Sequence, residues 1–205
     1  MQMKQNEFLL LDSRDETIAR VRVESAPGDD VMRVRVIEGN AQDAASHAIM
    51  ALAYSPKHPF LGHYRYLQWS GDTVSMERLV FFDNDLRDVL WVPVSFRGFL
   101  YPIEAGAKGR IPVRFVDLGC GVATFYAELG LLEGEEKEIT LPFTPEPMVV
   151  RCRIVRWKKI GQDRALYAAE FVHLCQDEDT AITEAVFALQ KRSRQGTAAL
   201  RNKLK

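Results

Sequence analysis

Net charge is what this sequence most lacks. Its 205 residues carry 27 Lys and Arg against 28 Asp and Glu, a balance of -1. A chain so balanced has no general pull toward a phosphate backbone, so DNA is not an expected partner. Cysteine is scarce: there are three, with no CxxC pair. That excludes a disulfide framework and a zinc cluster and points to a reducing compartment. The four histidines, His47, His58, His63 and His173, share no HxH or HxxxH spacing, so no metal is expected. Apolar runs are short, as in Phe8-Leu11 and Ala48-Tyr54. None approaches the roughly 18 residues of a spanning helix, and no membrane span is expected. The opening MQMKQNEFLLLDSRDE has an apolar core of four residues and then charge, which does not read as a signal peptide. A cytoplasmic protein is the expectation. The chain also has no GxSxG elbow, no P-loop and no recognisable nucleophile-base pair. An enzyme is therefore not expected.

What is present is an ordinary globular composition, 47% hydrophobic and 27% charged. The length suits one large domain or two small ones. Most of the chain reads as short strands. Phe8-Leu11, Thr17-Ser25 and Val31-Val36 come first, the last two separated by the turn signal Pro27-Gly28-Asp29-Asp30. In the second run Ala19, Val21 and Val23 share one face and Ile18, Arg20 and Arg22 the other. Apart from Ile18, this is the period-two pattern of a half-buried strand. Ala41-Ala53 is rich in helix formers and reads as one helix capped by Asn40. His63-Trp69 and Thr73-Phe82 form a hairpin pattern around Ser70-Gly71-Asp72, and the aromatics Phe60, Tyr64, Tyr66, Trp69, Phe81 and Phe82 are expected in a core.

The polar stretch Phe82-Asp88 is the expected junction. Six further strands are expected beyond it: Trp91-Phe96, Ile111-Leu118, Ala123-Leu129, Lys137-Phe143, Met148-Trp157 and Ala165-Phe171. The turns Gly106-Ala107-Lys108-Gly109 and Glu133-Gly134 punctuate them, as in a small barrel. Arg110, Arg114, Arg151 and Arg153 alternate with apolar residues and are expected on the wet face of a sheet, although Arg151 and Arg153 share a face that could line a phosphate groove. Asp177-Arg194 then has Ala181, Ile182, Ala185, Val186 and Leu189 at helical spacing, with Asp177 or Asp179 as cap. The chain ends in a basic block. Six Lys and Arg and no acid lie between 190 and 205, and the remainder has 21 basic and 28 acidic residues, a net -7. The expectation is a mainly β protein of two small antiparallel β-barrel domains with a C-terminal α-helix, divided as 1-84, 85-190 and a basic tail 191-205.

Two segments carry chemistry. Val116-Asp117-Leu118-Gly119-Cys120-Gly121 resembles the first motif of class I S-adenosylmethionine-dependent methyltransferases, in which a parallel strand runs into a Gly-rich turn and a helix. The β-branched and aromatic run Val122-Tyr126 that follows reads as strand.

A second resemblance uses more of the chain. Arg87-Asp88-Val89-Leu90-Trp91 precedes Val92-Pro93-Val94, and Asp117-Leu118-Gly119-Cys120-Gly121-Val122 follows about 25 residues later. Then come Ile139-Phe143, Val149-Val155, Tyr167-Phe171 and a helix ending Phe187-Ala188-Leu189-Gln190. Residues 87-190 thereby resemble a PilZ domain, the bacterial receptor module for cyclic di-GMP, whose pattern is RxxxR, then DxSxxG, a barrel and a C-terminal helix. The first half is similar in position and strand density to the N-terminal barrel of flagellar-brake-type PilZ proteins.

The resemblance implies a cyclic di-GMP site at Arg87, Trp91, Asp117, Gly119 and Val122. Arginine suits such a ligand because its fork binds phosphate oxygens or a guanine edge and its plane stacks on bases. The aspartate accepts from a guanine N-H or holds an arginine in place. Three positions depart from the pattern: Trp91 stands for the second Arg, Gly119 for the Ser and Val122 for the last Gly. The implied function is a non-catalytic signalling effector with a degenerate site (RxxxW, DxGxxV) and weak or absent nucleotide binding. Its implied partner is another protein, of flagellar motor, secretion or polysaccharide machinery.

Overall fold

The computed structural model describes residues 7-25, 29-55, 58-79, 91-104, 109-144 and 146-202; side chains at 54, 55, 58-61 and 193-202 are not described. The Pro27-Gly28 half of the first turn, the Phe82-Asp88 junction, Phe81, Arg87, Gly106-Ala107-Lys108 and the end of the basic tail lie outside them. The chain divides into two compact units, the first Met1–Leu79 with Gln195–Lys205 and the second Val80–Arg194.

The first unit is a closed antiparallel barrel in the order β1-β2-β3-β6-β5-β4. Its strands are β1 (Glu7–Leu11), β2 (Thr17–Val23), β3 (Val31–Glu38), β4 (Ile49–Ser55), β5 (His58–Ser70) and β6 (Thr73–Arg78). Period-two alternation sends Phe8, Leu10, Ala19, Val21, Val34, Val74 and Met76 inward, where Tyr64 joins them. Of the expected aromatic core, Tyr66 packs against this cluster while Trp69 is 45% exposed. Ala41-Ala53 is not one helix. It forms a single short helix, α1 (Ala41–Ala45), and then β4, which pairs with both β1 and β5. Ile49 to Ala53 are all buried, Met50 and Leu52 inward and Ala51 and Ala53 in a second cluster with Leu11. A strand buried on both faces loses its alternation and cannot be told from a helix by periodicity. Closure of the barrel decided the matter, because β1 and β5 would otherwise be open edges.

Asn40 is the cap of α1, its side-chain oxygen accepting from the Gln42 N-H at 2.8 Å. Asn40→Ala is expected to lower stability by about 1 kcal/mol, read in urea as a lower midpoint at an unchanged slope.

The second unit has seven strands: β7 (Trp91–Pro93), β8 (Arg97–Tyr101), β9 (Ile111–Gly119), β10 (Val122–Glu128), β11 (Glu136–Leu141), β12 (Met148–Lys159) and β13 (Arg164–Val172). Six of them close as β8-β9-β10-β13-β12-β11, all antiparallel, and β7 adds to the C-terminal half of β9. The expected strand Trp91-Phe96 is thus only β7, and β8 is a strand that the sequence reading lacked. The core is aromatic at its centre. Phe115 meets Phe125 and Phe143 edge-on at 6.1 Å each, and Phe125 stacks on Tyr167 at 5.8 Å. Buried Cys152 lies in the same core, and burial pushes its thiol up to about 12, so it stays protonated.

The final helix, α2 (Gln176–Asn202), places Ile182 and Val186 in this core. It starts one residue before Asp177. The capping carboxylate is neither Asp177 nor Asp179 but Glu178, which accepts from the Cys175 N-H at 2.9 Å. No described helix is long and apolar enough to cross a membrane.

Candidate functional site

The motif residues of the second unit sit on three adjacent strands. β9 and β10 are joined by the two-residue turn Cys120-Gly121. Leu118 and Ala123, which pair across this hairpin, both face the core. Strand alternation therefore turns Asp117, Gly119, Val122 and Thr124 to the outside. On the other edge of β9, Trp91 pairs with Gly119, Val92 with Leu118 and Pro93 with Asp117. Val92 is in the core, so Trp91 also faces out. Four expected site residues, Trp91, Asp117, Gly119 and Val122, are thus brought to one outer face. Trp91, Asp117 and Val122 are half-buried and Gly119 is buried. The fifth, Arg87, lies outside the described residues.

Two local features mark this face. The Trp91 carbonyl accepts from the Gln190 side chain of α2 at 3.2 Å, which ties β7 to the helix. Thr124, opposite Asp117 in register, is 1% exposed, and its hydroxyl has no hydrogen-bond partner among the described residues. A buried hydroxyl left unpaired is costly.

The face continues across β13, β12 and β11. Val122 pairs with Glu170, Glu170 with Arg153, and Arg153 with Glu136. Arg153 donates to Glu136 through Nε and Nη2, at 3.2 and 2.9 Å, and to Glu170 through Nη1 at 3.0 Å. The hydrogen bond from Arg153 holds the Glu136 carboxyl below its usual range, and the same bond raises the Arg153 guanidinium. His173 stands 3.9 Å from Glu136. Chemically, the arrangement offers one forked cation, Arg153, flanked by carboxylates, beside a hairpin with a small residue at Gly119.

The wet-face expectation for the arginines divides. Arg151 is exposed and Arg153 is half-buried. Arg110 lies 4.3 Å over the Phe99 ring. Arg114 is 5% exposed and donates to the Ser95 hydroxyl through Nε at 2.9 Å and also through Nη2. Its two-residue spacing from apolar neighbours carries no sign of that burial. Glu170 and Thr124 were absent from the sequence reading of the site, because their place beside Val122 and Asp117 is set by register between distant strands.

The VDLGCG segment lacks the context of the methyltransferase motif. That motif needs a parallel strand followed by a helix. Here the segment ends β9, and Val122 opens the antiparallel β10. Among the described residues no group of three His, Cys, Asp or Glu side chains comes together as a metal site.

No family model matches the chain, and no curated protein matches it. Several solved structures are similar in fold. The inhibitor of motility MotI/DgrA of Bacillus subtilis has 12% identity over 94% of this chain and 100% of that one, with a TM-score of 0.43. YcgR from Escherichia coli in complex with c-di-GMP has 11% identity over 95% and 88%, with a TM-score of 0.45. The PilZ domain of YcgR with c-di-GMP has 11% identity over 55% and 98%, with a TM-score of 0.46. At these identities and scores the likeness carries no assignment of function, which rests instead on the chain's own residues.

Proposed function

We propose that the chain is a non-catalytic bacterial signalling effector of the PilZ type, with a degenerate cyclic di-GMP site formed by Arg87, Trp91, Asp117, Gly119 and Val122. The proposed organisation is an N-terminal barrel domain over 1-84, a PilZ-like barrel with its helix over 85-190 and a basic tail over 191-205. The protein works in the cytoplasm through contacts with another protein, in motility, secretion or polysaccharide control. One observation carries the reading: strand register sets Trp91 opposite Gly119 on the same outer face as Asp117 and Val122. Sequence spacing alone would not require four residues from three strands to share a face.

The degeneracy follows from chemistry. A charge-assisted hydrogen bond contributes about 1.5-3 kcal/mol and a neutral hydroxyl bond about 0.5-1.5 kcal/mol. Trp91 and Gly119 supply neither. Their combined loss moves a micromolar site toward millimolar. Binding of cyclic di-GMP by calorimetry is the test. Weak binding that disappears in Asp117→Ala and in Arg87→Ala is the expected result. Micromolar or tighter binding would refute the degeneracy, and indifference to both substitutions would place any site elsewhere.

A further inference from the structure

Glu170 stands on the strand next to the motif hairpin, directly across from Val122. Its strand pairs with β10 on one side and β12 on the other, so Glu170 lies between Val122 and Arg153. At a strand spacing of about 4.8 Å, Arg153 stands about 10 Å from Val122, with Glu170 midway. All three point outward, since Ala123, Ala169, Phe171, Cys152 and Ile154 fill the core beneath them. Arg153 is already shared between two acids, Glu136 and Glu170. No other basic side chain among the described residues forms an ion pair with Glu170.

We infer that Glu170 is a specificity-determining residue of this face: it disfavours a phosphate seated at Gly119-Val122 and keeps Arg153 from that phosphate until it is displaced. The inference rests on the reading of the hairpin as a nucleotide site. It supplies that reading with a cation on the barrel itself, on β12, two strands from Val122 across β13. The physical reasons are two. A carboxylate one strand from a bound phosphate repels it, and the repulsion at such a distance is partly screened by solvent. The pair that must open is only partly buried, with the Arg153 and Glu170 side chains 40% and 41% accessible. Such pairs are weakly held, so Arg153 is available once Glu170 is neutralised. Glu136 stays behind as the second anchor and keeps the guanidinium on the outer face.

The test uses the full chain and cyclic di-GMP itself, in two backgrounds: the natural sequence and a chain with Trp91→Arg and Gly119→Ser. Glu170→Gln keeps the shape and removes the charge. It is expected to tighten binding about three- to tenfold in the substituted background, with the gain shrinking as ionic strength rises. Adding Arg153→Gln to Glu170→Gln is expected to reverse the gain. Melting temperatures should stay within about 4 °C of the parent, because a pair this accessible contributes little to folding. Unchanged affinity on Glu170→Gln, in a Trp91→Arg, Gly119→Ser chain that does bind, would overturn the inference and leave the site reading intact. A gain that survives Arg153→Gln would overturn the role of Arg153. No binding in the Trp91→Arg, Gly119→Ser chain would overturn the site reading and the inference together.

Discussion

Phe115→Ala is expected to lower the unfolding free energy of the second barrel by about 3-5 kcal/mol. Phe115 has no exposed surface and is the ring on which the others converge, touching Phe125 and Phe143 edge-on. Truncation removes its transfer energy and leaves a cavity that a closed barrel cannot collapse around. Gly98 shows the same tightness from the other side. A Cβ there would stand 2.8 Å from Phe115 Cε2, 3.0 Å from the Thr140 carbonyl and 3.1 Å from the Thr140 hydroxyl. That hydroxyl also accepts from the Phe99 N-H at 2.8 Å, so β8 cannot shift without losing it. Gly98→Ala is expected to cost about 1-3 kcal/mol by overpacking. In the double variant the cavity admits the new methyl, and the combined loss should fall short of the sum. Urea unfolding, with the transition of each barrel fitted separately, checks all three variants. A fully additive double variant would show that the two sites do not share the space.

Restoring the motif is the second large effect. In the chain with Trp91→Arg and Gly119→Ser, affinity for cyclic di-GMP is expected to rise about 30- to 2,000-fold. An added charge-assisted bond accounts for roughly 10- to 150-fold and the serine hydroxyl for a further factor of a few. The backbone at both positions suits the exchange. Gly119 is in an ordinary strand and pairs with Trp91, so a serine and an arginine would stand side by side. Trp91 faces out and is half-buried, and its carbonyl, which Gln190 uses, survives substitution. A serine hydroxyl at position 119 would stand beside Asp117 on the same outer face. Calorimetry on the natural and restored chains decides this, with Asp117→Ala in the restored chain as the control. A restored chain no tighter than the natural one would show that these positions do not contact the nucleotide. Trp91 could then be read as a packing residue alone.

Much of this was legible in the residues. The alternation of Ala19, Val21 and Val23 marks β2, and the Ser70-Gly71-Asp72 turn marks the hairpin of β5 and β6. The run Val122-Tyr126 after the Gly-rich turn is readable as strand, which already weighs against the helix that a methyltransferase turn requires. Ala41-Ala53 misleads because a strand buried on both faces carries no period. β8 escapes because Arg97-Gly98-Phe99 is short and its glycine is present for a close approach to Phe115, not for a turn.

The sequence by itself determined the strand-rich character, the α2 core face of Ile182 and Val186, and the residues of the candidate motif. All of these depend on near neighbours in the chain, through period, turn chemistry and spacing. Only the tertiary structure decided that Ile49–Ser55 is a strand, that Arg114 is buried against Ser95, and that Glu170 stands beside Val122 with Arg153 on the next strand. Those outcomes depend on register between strands many residues apart and on barrel closure. A single-residue slip in register would turn every side chain of a strand to its other face, and nothing local in the sequence records which register closes the ring.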